Sequence, residues 1–512
     1  MKRLLNPRLV LSAVLALAFN TRLPSHSAQA QLGAWLSPVQ LSETGRFAWF
    51  PDIVADGTGH IHVVWSSGDN RYDVVMYTTS TGEDIGWSLP RDIAAVRQPN
   101  VGESAATRPA VFVDRQGKLH LTYTDYSEIY YSSASLSDAQ SPAAWSDPQV
   151  MNPESSTYFS RMTMDSRGVM HLIYTQNVYS DDCRICFNVF HRASSDEGNT
   201  WTPPVNISAT RAGSAKPQII VDRNDNLHVV WESGPTGGTL GGVREPTSAM
   251  YSASYDGGKT WTMPMEFSTG APNAQAKNPA IAEDGDGQLL VVWRGVPEEV
   301  VYSQISRDNG KSWSAPQLIP QVFTSASVYY GGLDTYSLAS DSAGNVHLVM
   351  VGTTDPAQSA LSVLHVAWNG QAWSGPTPIV TYANGDVPEW PRIAVGLGNQ
   401  LNVVWFTRDR ANVFGSDSAT ADYRVWYSSA VADAPAVALI VYPTTTPNVQ
   451  PTKVFVAQSV LPTREPVASQ PSQVSKDALR TEMDEVGMLL LSMLPAVGLI
   501  LIVWLLLRRR LG

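Results

Sequence analysis

The sequence predicts an all-β fold, a seven-bladed β-propeller, because two short patterns each recur seven times and alternate along the chain. The first pattern is Trp-x-x-Pro-x-x-aliphatic, with copies that begin at Trp35, Trp87, Trp145, Trp201, Trp261, Trp313 and Trp373. The second is roughly Asp-x-x-Gly-x-x-His before an apolar run, with copies that begin at Asp56, Asp114, Asp165, Asp222, Asp284, Asp341 and, with Gly in place of Asp, Gly396. A period of about 50 to 60 residues with short strand-like segments is typical of propeller blades.

The fourth repeat shows how one unit forms a blade. Residues 216–221, 227–231, 250–254 and 262–267 have the alternation and β-branched content of strands. The Asp222 cluster between the first two is a turn. Pro264 falls on the last strand, where a missing N–H costs no ladder bond if that strand is the outer edge.

The order of the patterns predicts how the ring closes. The first Trp copy, 35–41, precedes any blade, and the last blade has no Trp copy after it. We therefore expect 35–41 to pair with 424–428 and complete the seventh blade, which covers a sheet edge. A six-bladed ring is the alternative.

Both ends of the chain differ from the propeller, predicted over 31–432. Residues 1–30 resemble a signal peptide, with a basic start, a short apolar run and Ala28-Gln29-Ala30; an uncleaved anchor is the alternative. Residues 433–485 are rich in Pro, Thr and Ser and predict an extended stalk, although 434–441 could be one more strand. The uncharged stretch 486–507 is long enough for a transmembrane helix, and the basic tail 508–512 should stay cytoplasmic.

We therefore expect a single-pass protein of the cell membrane, with the propeller on the extracellular side. Its 35 Lys and Arg against 46 Asp and Glu give a net charge of −11. An acidic chain without a basic block is a poor nucleic-acid binder. The expected partners are the membrane, through the C-terminal helix, and an extracellular glycan or other polymer.

Three turns, 194–201, 254–261 and 306–313, fit Ser-x-Asp-x-Gly-x-x-Trp, and weaker versions lie at 80–87 and 368–373. The pattern resembles the Asp-box, or bacterial neuraminidase repeat, of the sialidase superfamily, over about residues 34–431. The resemblance implies the propeller fold. It does not by itself imply catalysis, because the box residues hold a turn together and Asp-box propellers include both glycosidases and binding proteins.

Sialidases use an arginine triad, a Tyr nucleophile activated by Glu, and an Asp acid/base. On this resemblance, Tyr336 before Ser337 is the candidate nucleophile, Asp69 the acid/base, and Glu232 a possible partner of the tyrosine without motif support. Trp49-Phe50-Pro51 stands where the family has Arg-Ile-Pro, so the first triad arginine is absent. Family members usually have six blades, which puts the convergence of these positions in doubt.

Basic residues recur at the start of the first strands: Arg108, Arg161, Lys216, Lys277 and Arg392. Such positions lie at one mouth of the central channel, where cations would attract a carboxylate or a sulfated or sialylated sugar. The alternative is that they are solvated charges on the rim.

Five histidines share one repeat position, His62, His120, His171, His228 and His347, which predicts an architectural role and no metal site. In an exported chain, Cys183 and Cys186 predict a local disulfide, with redox or zinc chemistry as the alternative. No cofactor is expected.

Three functional hypotheses follow. The propeller is a surface module that binds a glycan or other polymer without turnover; alternatively, it is an exo-sialidase-type glycoside hydrolase, or a structural surface protein. The absent arginine and the extra blade favour the binding module.

Overall fold

A computed structural model describes residues 33–43, 47–68, 72–80, 86–97, 107–125, 127–152, 156–179, 185–236, 246–324, 335–383, 386–409, 423–436 and 442. The chain divides into two units, Met1–Thr444 and Thr445–Gly512, and all described residues belong to the first. Among the described residues, no helix is long and apolar enough to cross a membrane. The predicted signal peptide, the segment 486–507 and the tail 508–512 lie outside the described residues.

The described residues form seven four-stranded antiparallel sheets. The strands of the first four blades, each from inner to outer, are β2 Ala48–Ala55, β3 Ile61–Gly68, β4 Tyr72–Thr79 and β5 Arg91–Arg97; β6 Ala110–Val113, β7 Lys118–Thr124, β8 Ile129–Ser135 and β9 Gln149–Val150; β10 Thr157–Met164, β11 Met170–Asn177, β12 Phe187–Ser194 and β13 Val205–Asn206; β14 Gly213–Val221, β15 Leu227–Gly234, β16 Ser248–Ser254 and β17 Met265–Phe267. Those of the last three are β18 Gln275–Glu283, β19 Leu289–Val296, β20 Val300–Ser306 and β21 Gln317–Phe323; β22 Ser337–Ser340, β23 Val346–Gly352, β24 Leu361–Trp368 and β25 Thr377–Tyr382; β26 Asp386–Val395, β27 Gln400–Asp409, β28 Arg424–Val431 and β1 Val39–Gln40. Two short 3-10 helices, Pro142–Ala144 and Leu397–Asn399, lie in connections.

The predicted ring closure is confirmed. The seventh sheet has the order β1-β28-β27-β26, so the N-terminal strand is the outer strand of the last blade. Val39 pairs with Tyr427 and Gln40 with Trp426, inside the predicted segments 35–41 and 424–428. The prediction of seven blades holds, and the six-bladed alternative is wrong.

The inner strands are longer than the alternation suggested. In the fourth blade, β14 begins at Gly213 and not at residue 216, while the outer strand β17 is reduced to Met265–Phe267. Short outer strands limit the exposed edge of each blade. The described residues 433–436 form no strand, and 437–441 lie outside the described residues.

The strand order gives the propeller two different faces. The Asp-turn face carries the turns between first and second strands and the Asp-boxes between third and fourth strands. The mouth face carries the connections from second to third strands and from each blade to the next. The connections 235–247, 324–336 and 410–423 belong to the mouth face and are much longer than an Asp turn such as 222–226. In propellers of this kind, long connections on one face are where function concentrates.

Each Asp turn is fixed by its own aspartate. In the fourth blade, Asp222 Oδ1 accepts the backbone N–H groups of Asn224 and Asn226, both at 2.8 Å. Its Oδ2 lies 3.2 Å from His228 Nε2, and His228 Nδ1 lies 2.8 Å from the Tyr251 hydroxyl on the third strand. The first two blades repeat this aspartate–histidine–tyrosine chain. The recurring histidines therefore join strands within a blade, which is the architectural role predicted for them.

Two blades replace the tyrosine of this chain with a second histidine. His171 Nδ1 lies 3.0 Å from His191 Nε2 in the third blade, and His347 Nδ1 lies 2.9 Å from His365 Nε2 in the sixth. Burial, and after it the charge of the neighbouring histidine, lowers the pKa of His191 and of His365 to about 3. Both side chains are therefore neutral at pH 7.

The Asp-boxes connect neighbouring blades. In the box of the fourth blade, Asp256 Oδ1 accepts the Thr260 N–H at 2.9 Å, and Gly258 adopts a φ of +87°. Gly258 and Trp261 pack on His191 of the preceding blade, with ring centroids of Trp261 and His191 5.3 Å apart. Trp201 and Trp313 contact Tyr131 and Tyr251 in the same way. Each of these boxes is thus part of an interface between blades.

Candidate functional site

A repeated bulge at the mouth end of the inner strands turns one side chain per blade towards the channel. In five blades the bulged residue precedes a proline and has a positive φ of 41° to 56°: Phe50, Arg108, Lys216, Asn278 and Trp390. A positive φ is unfavourable for residues with a Cβ, and bulges re-aim side chains. We call this set, together with Phe159 at the same position of the third blade, the mouth layer.

The mouth layer is aromatic on one side of the channel. Trp390 of the seventh blade contacts Phe50 of the first and Phe159 of the third, with ring centroids 5.1 and 5.8 Å apart. The Arg108 guanidinium lies 5.0 Å from the Phe50 ring, 5.3 Å from Phe159 and 5.1 Å from Tyr158. Arg108 is only 3 % exposed, so it is neither a solvated rim charge nor openly presented to solvent.

The residues two positions further along the inner strands form a second layer, which we call the inner layer: Asp52, Arg161, Gln218, Ser337 and Arg392. Arg161 Nη1 and Arg392 Nε each lie 3.8 Å from the Asp52 carboxylate, although the three residues come from three different blades. Val111 N–H donates to the same carboxylate at 2.9 Å. Burial raises the pKa of Asp52, and the Arg161 charge opposes that rise. The two arginines predicted to hold a ligand carboxylate therefore meet around a carboxylate of the chain itself.

The two guanidinium groups are not saturated by Asp52. Arg161 Nη1 donates to the carbonyl of Ser160 at 3.1 Å. Arg392 stacks on Trp390 at 5.0 Å, and its Nε is buried without a hydrogen bond among the described residues. A buried charged donor without a full set of acceptors is costly, so this pair can accept a further anionic group.

A second group of ion pairs lies on the polar side of the mouth. Lys216 Nζ lies 3.1 Å from Glu232 Oε2, and Glu232 Oε1 accepts the Asn278 N–H at 2.8 Å. Glu389 forms a bidentate pair with Arg408, and burial raises the pKa of Glu389 while Arg408 and Lys216 oppose that rise. Glu232 thus holds a lysine and a backbone amide.

The catalytic candidates do not form a visible site among the described residues. Tyr336 is 0 % exposed and packs with Leu348 and Met350 in the core between the fifth and sixth blades. The Tyr336 carbonyl accepts a hydrogen bond from Gln218 Nε2 at 2.8 Å, so the Gln218 side chain bridges the channel from the fourth blade. Asp69 lies outside the described residues. The roles of Tyr336, Asp69 and Glu232 in catalysis stay predictions, and the burial of Tyr336 disfavours its use as a nucleophile.

Among the described residues, the centre of the propeller carries more cationic than anionic side chains. The two layers and the groups that they contact hold five cationic side chains against three carboxylates: Arg108, Arg161, Lys216, Arg392 and Arg408 against Asp52, Glu232 and Glu389. The whole chain has a net charge of −11. This excess of two cations among the described residues favours an anionic group in the channel.

Sequence reasoning missed Asp52, Glu389 and Arg408. Asp52 occupies the same repeat position as Arg161 and Arg392, four residues before the first residue of the Asp turn. Alignment of the seven inner strands could have found it, but such an alignment does not show which blades meet across the channel. Glu389 and Arg408 follow no repeat.

Cys186 is disulfide-bonded and 2 % exposed. Cys183, the other cysteine of the chain, lies outside the described residues, so the Cys183–Cys186 pairing stays a prediction. No group of metal-ligating side chains occurs within the part of the chain that the structure describes.

Solved structures share the fold at low sequence identity. An ulvan lyase of polysaccharide lyase family 25, solved with -[GlcA(1-4)Rha3S]-, superposes with a TM-score of 0.51 at 10% identity and covers 77% of this chain and 95% of its own. A protein of unknown function from Dyadobacter fermentans gives 0.46 at 10% identity, over 78% of this chain and 98% of its own. The NanB sialidase from Streptococcus pneumoniae gives 0.43 at 12%, over 78% and 70%. No curated protein matches the chain.

The BNR repeat-like domain matches residues 59–275 and 127–403, which together cover most of the propeller. This match agrees with the three Asp-boxes and with the seven-bladed ring. The resemblance to Asp-box propellers of the sialidase superfamily is confirmed, and the chain belongs to the BNR repeat-like domain family.

Proposed function

We propose that this protein is a surface binding module whose propeller recognises an anionic glycan, without turnover. The observation that carries the proposal is the excess of cationic side chains around the channel of an otherwise acidic chain. Guanidinium groups recognise carboxylates and sulfates through paired hydrogen bonds, which makes acidic sugars the favoured class of ligand.

The inner layer supplies the recognition chemistry. An incoming carboxylate or sulfate would accept hydrogen bonds from Arg161 and Arg392, which lie 3.8 Å from Asp52 and have donors to spare. Asp52 would orient the two arginines when no ligand is bound. In the mouth layer, the ring of Phe159 would hold Arg108 in place and the ring of Trp390 would hold Arg392 in place.

The same geometry argues against turnover. A nucleophile must reach the reacting carbon, and Tyr336 is completely buried in an apolar cluster. Its proposed activator, Glu232, already holds Lys216 and the Asn278 amide. The ulvan lyase shows that an acidic polysaccharide can be the ligand of a protein with this fold, and it suggests which sugars to test first.

We propose further that the protein is exported and anchored by 486–507, with the propeller outside the cell. Protease treatment of intact cells should release the propeller, because the stalk lacks the sequence of a folded domain. Resistance of tagged propeller to protease until the cells are lysed would reverse this topology.

The binding proposal is tested with full-length protein in detergent on an array of neutral, sialylated, uronate-containing and sulfated glycans. We expect retention on acidic glycans that weakens as the salt concentration rises. Retention on neutral glycans only, or on none, would contradict the proposal and favour a structural role. In parallel, turnover of a fluorogenic sialoside or of a uronate polymer that is lost in Tyr336→Phe would establish an enzyme.

A further inference from the structure

We propose that residues 432–436 and Tyr442, which follow the last strand, are part of the folded propeller and dock on its Asp-turn face at two points. We call these described residues the strap. The sequence analysis placed residues 433–436 and Tyr442 in the stalk, 433–485. The inference concerns the architecture of the C-terminal segment and does not depend on which ligand the propeller binds.

The first docking point lies on the sixth and seventh blades. Ala432 N–H donates to the Asn399 carbonyl at 3.0 Å, and Asn399 Nδ2 donates to the Pro435 carbonyl at 2.7 Å. The Ser342 hydroxyl donates to the same carbonyl of Pro435. Asn399 also accepts the Ser342 N–H at 2.9 Å, so this one buried side chain joins two blades to the strap.

The second docking point lies on the first and second blades. The Tyr442 hydroxyl accepts the Gly57 N–H at 2.7 Å, which belongs to the Asp turn of the first blade. The Tyr442 ring lies over Gly117 in the next Asp turn, where a Cβ would come within 2.7 Å of Tyr442 Cγ. Burial raises the pKa of Tyr442. Because Gly117 has no side chain, the Tyr442 ring can pack directly on this turn. We call this contact surface the seat of Tyr442.

The two points lie on opposite sides of the seam where the ring closes. The seam itself is held by only two paired residues of β1, with a few flanking backbone bonds. A segment attached to the sixth and seventh blades at one end and to the first and second blades at the other opposes opening of that seam. The strap thus acts as a second closure on the Asp-turn face.

Two glycine variants of the full-length protein test this with a matched control. Gly117→Ala removes the seat of Tyr442, whereas Gly168→Ala changes the equivalent glycine of the third blade, which has a similar φ but open space around its Cβ position. Limited proteolysis followed by mass spectrometry locates the first cut. We expect it beyond residue 442 in the wild type and in Gly168→Ala, and within 433–442 in Gly117→Ala.

Hydrogen exchange gives an independent readout that needs no cleavage. The Gly57 amide should be protected in the wild type and should exchange at least about tenfold faster in Tyr442→Phe, which keeps the ring but removes the acceptor. Tyr179→Phe, at an exposed tyrosine, should leave it unchanged. Equal first cuts in the two glycine variants, or an unchanged Gly57 amide in Tyr442→Phe, would overturn the inference.

Discussion

Val39 in the N-terminal strand lies directly opposite Tyr427 in the last strand, so the two ends of the propeller sequence meet in one sheet. Gly33 N–H donates to the Val431 carbonyl at 2.9 Å, and Leu41 N–H donates to the Val425 carbonyl at 2.8 Å. Leu41 is buried in the core shared by the first and seventh blades. The seventh blade is therefore complete only when the ends of the propeller sequence have come together.

Deletion of residues 33–43 should open the ring. It removes the outer strand of the seventh blade and leaves β28 as an unpaired edge, which favours aggregation. Size-exclusion chromatography with light scattering should show large assemblies in place of the wild-type species. A soluble deletion variant with the wild-type melting temperature would show that closure does not depend on this strand.

Substitution of an Asp-box glycine should lower the free energy of unfolding by more than its left-handed backbone angles alone would predict. Gly168→Ala should cost about 1–2 kcal/mol from the left-handed backbone, because nothing lies within 4 Å of its Cβ position. Gly310→Ala should cost about 1–3 kcal/mol more through overpacking, since its Cβ would lie 1.7 Å from the Tyr251 hydroxyl. Urea unfolding measures the loss in the free energy of unfolding for both variants. Equal losses would mean that the contact between blades does not contribute to stability.

The histidine pairs should make the protein sensitive to acid. His191 and His365 have pKa values of about 3 in the folded state, below the ordinary value of 6.5. Between these values the unfolded chain binds more protons, so stability should fall as the pH falls from 6.5 towards 3. Tyrosine occupies the same position in the first, second and fourth blades.

His191→Tyr and His365→Tyr should therefore fold and should flatten the dependence of melting temperature on pH over that window. His60→Gln, at a histidine whose side chain is about half-exposed, is the control and should keep the wild-type slope. An unchanged slope in both tyrosine variants would mean that these pairs do not set the acid sensitivity.

The cysteines give a fourth prediction. Alkylation of the denatured, unreduced protein should label no thiol, because Cys186 is disulfide-bonded and the chain has one other cysteine. Replacement of both by serine should lower the melting temperature only slightly, since closing so short a loop restricts the unfolded chain little. Labelling of both thiols in the exported protein would refute the pairing.

The fold could be read from the sequence because its determinants are local and repeated. Asp222 and Trp261 each fix a turn within a few residues of themselves, and the same turn recurs in other blades. The Trp35 copy precedes any blade, which implied that this segment completes the last blade and closes the ring. The strap at Tyr442 was not predicted, because one aromatic residue in a stretch rich in proline and threonine carries no periodic signal.

The candidate site was predicted only in part. Arg161, Lys216 and Arg392 were predicted as ligand-binding residues at the channel, since the repeat position determines where the inner strand begins. Their role in binding stays a prediction. Their partners were not predicted, because Asp52 meets Arg161 and Arg392 across the ring from distant parts of the sequence. The side chain of Arg108, expected at an open mouth, is instead enclosed by aromatic rings.

The central claim is that Arg161 and Arg392 hold the anionic group of a glycan. Isothermal titration with the acidic glycan best retained on the array tests it most directly, in wild type, Arg161→Gln, Arg392→Gln and the exposed control Arg223→Gln. Loss of a hydrogen-bonded charge should weaken binding about tenfold or more in the first two variants, with Arg223→Gln unchanged and all four proteins folded by melting temperature. Equal affinity in all four folded proteins would contradict the account.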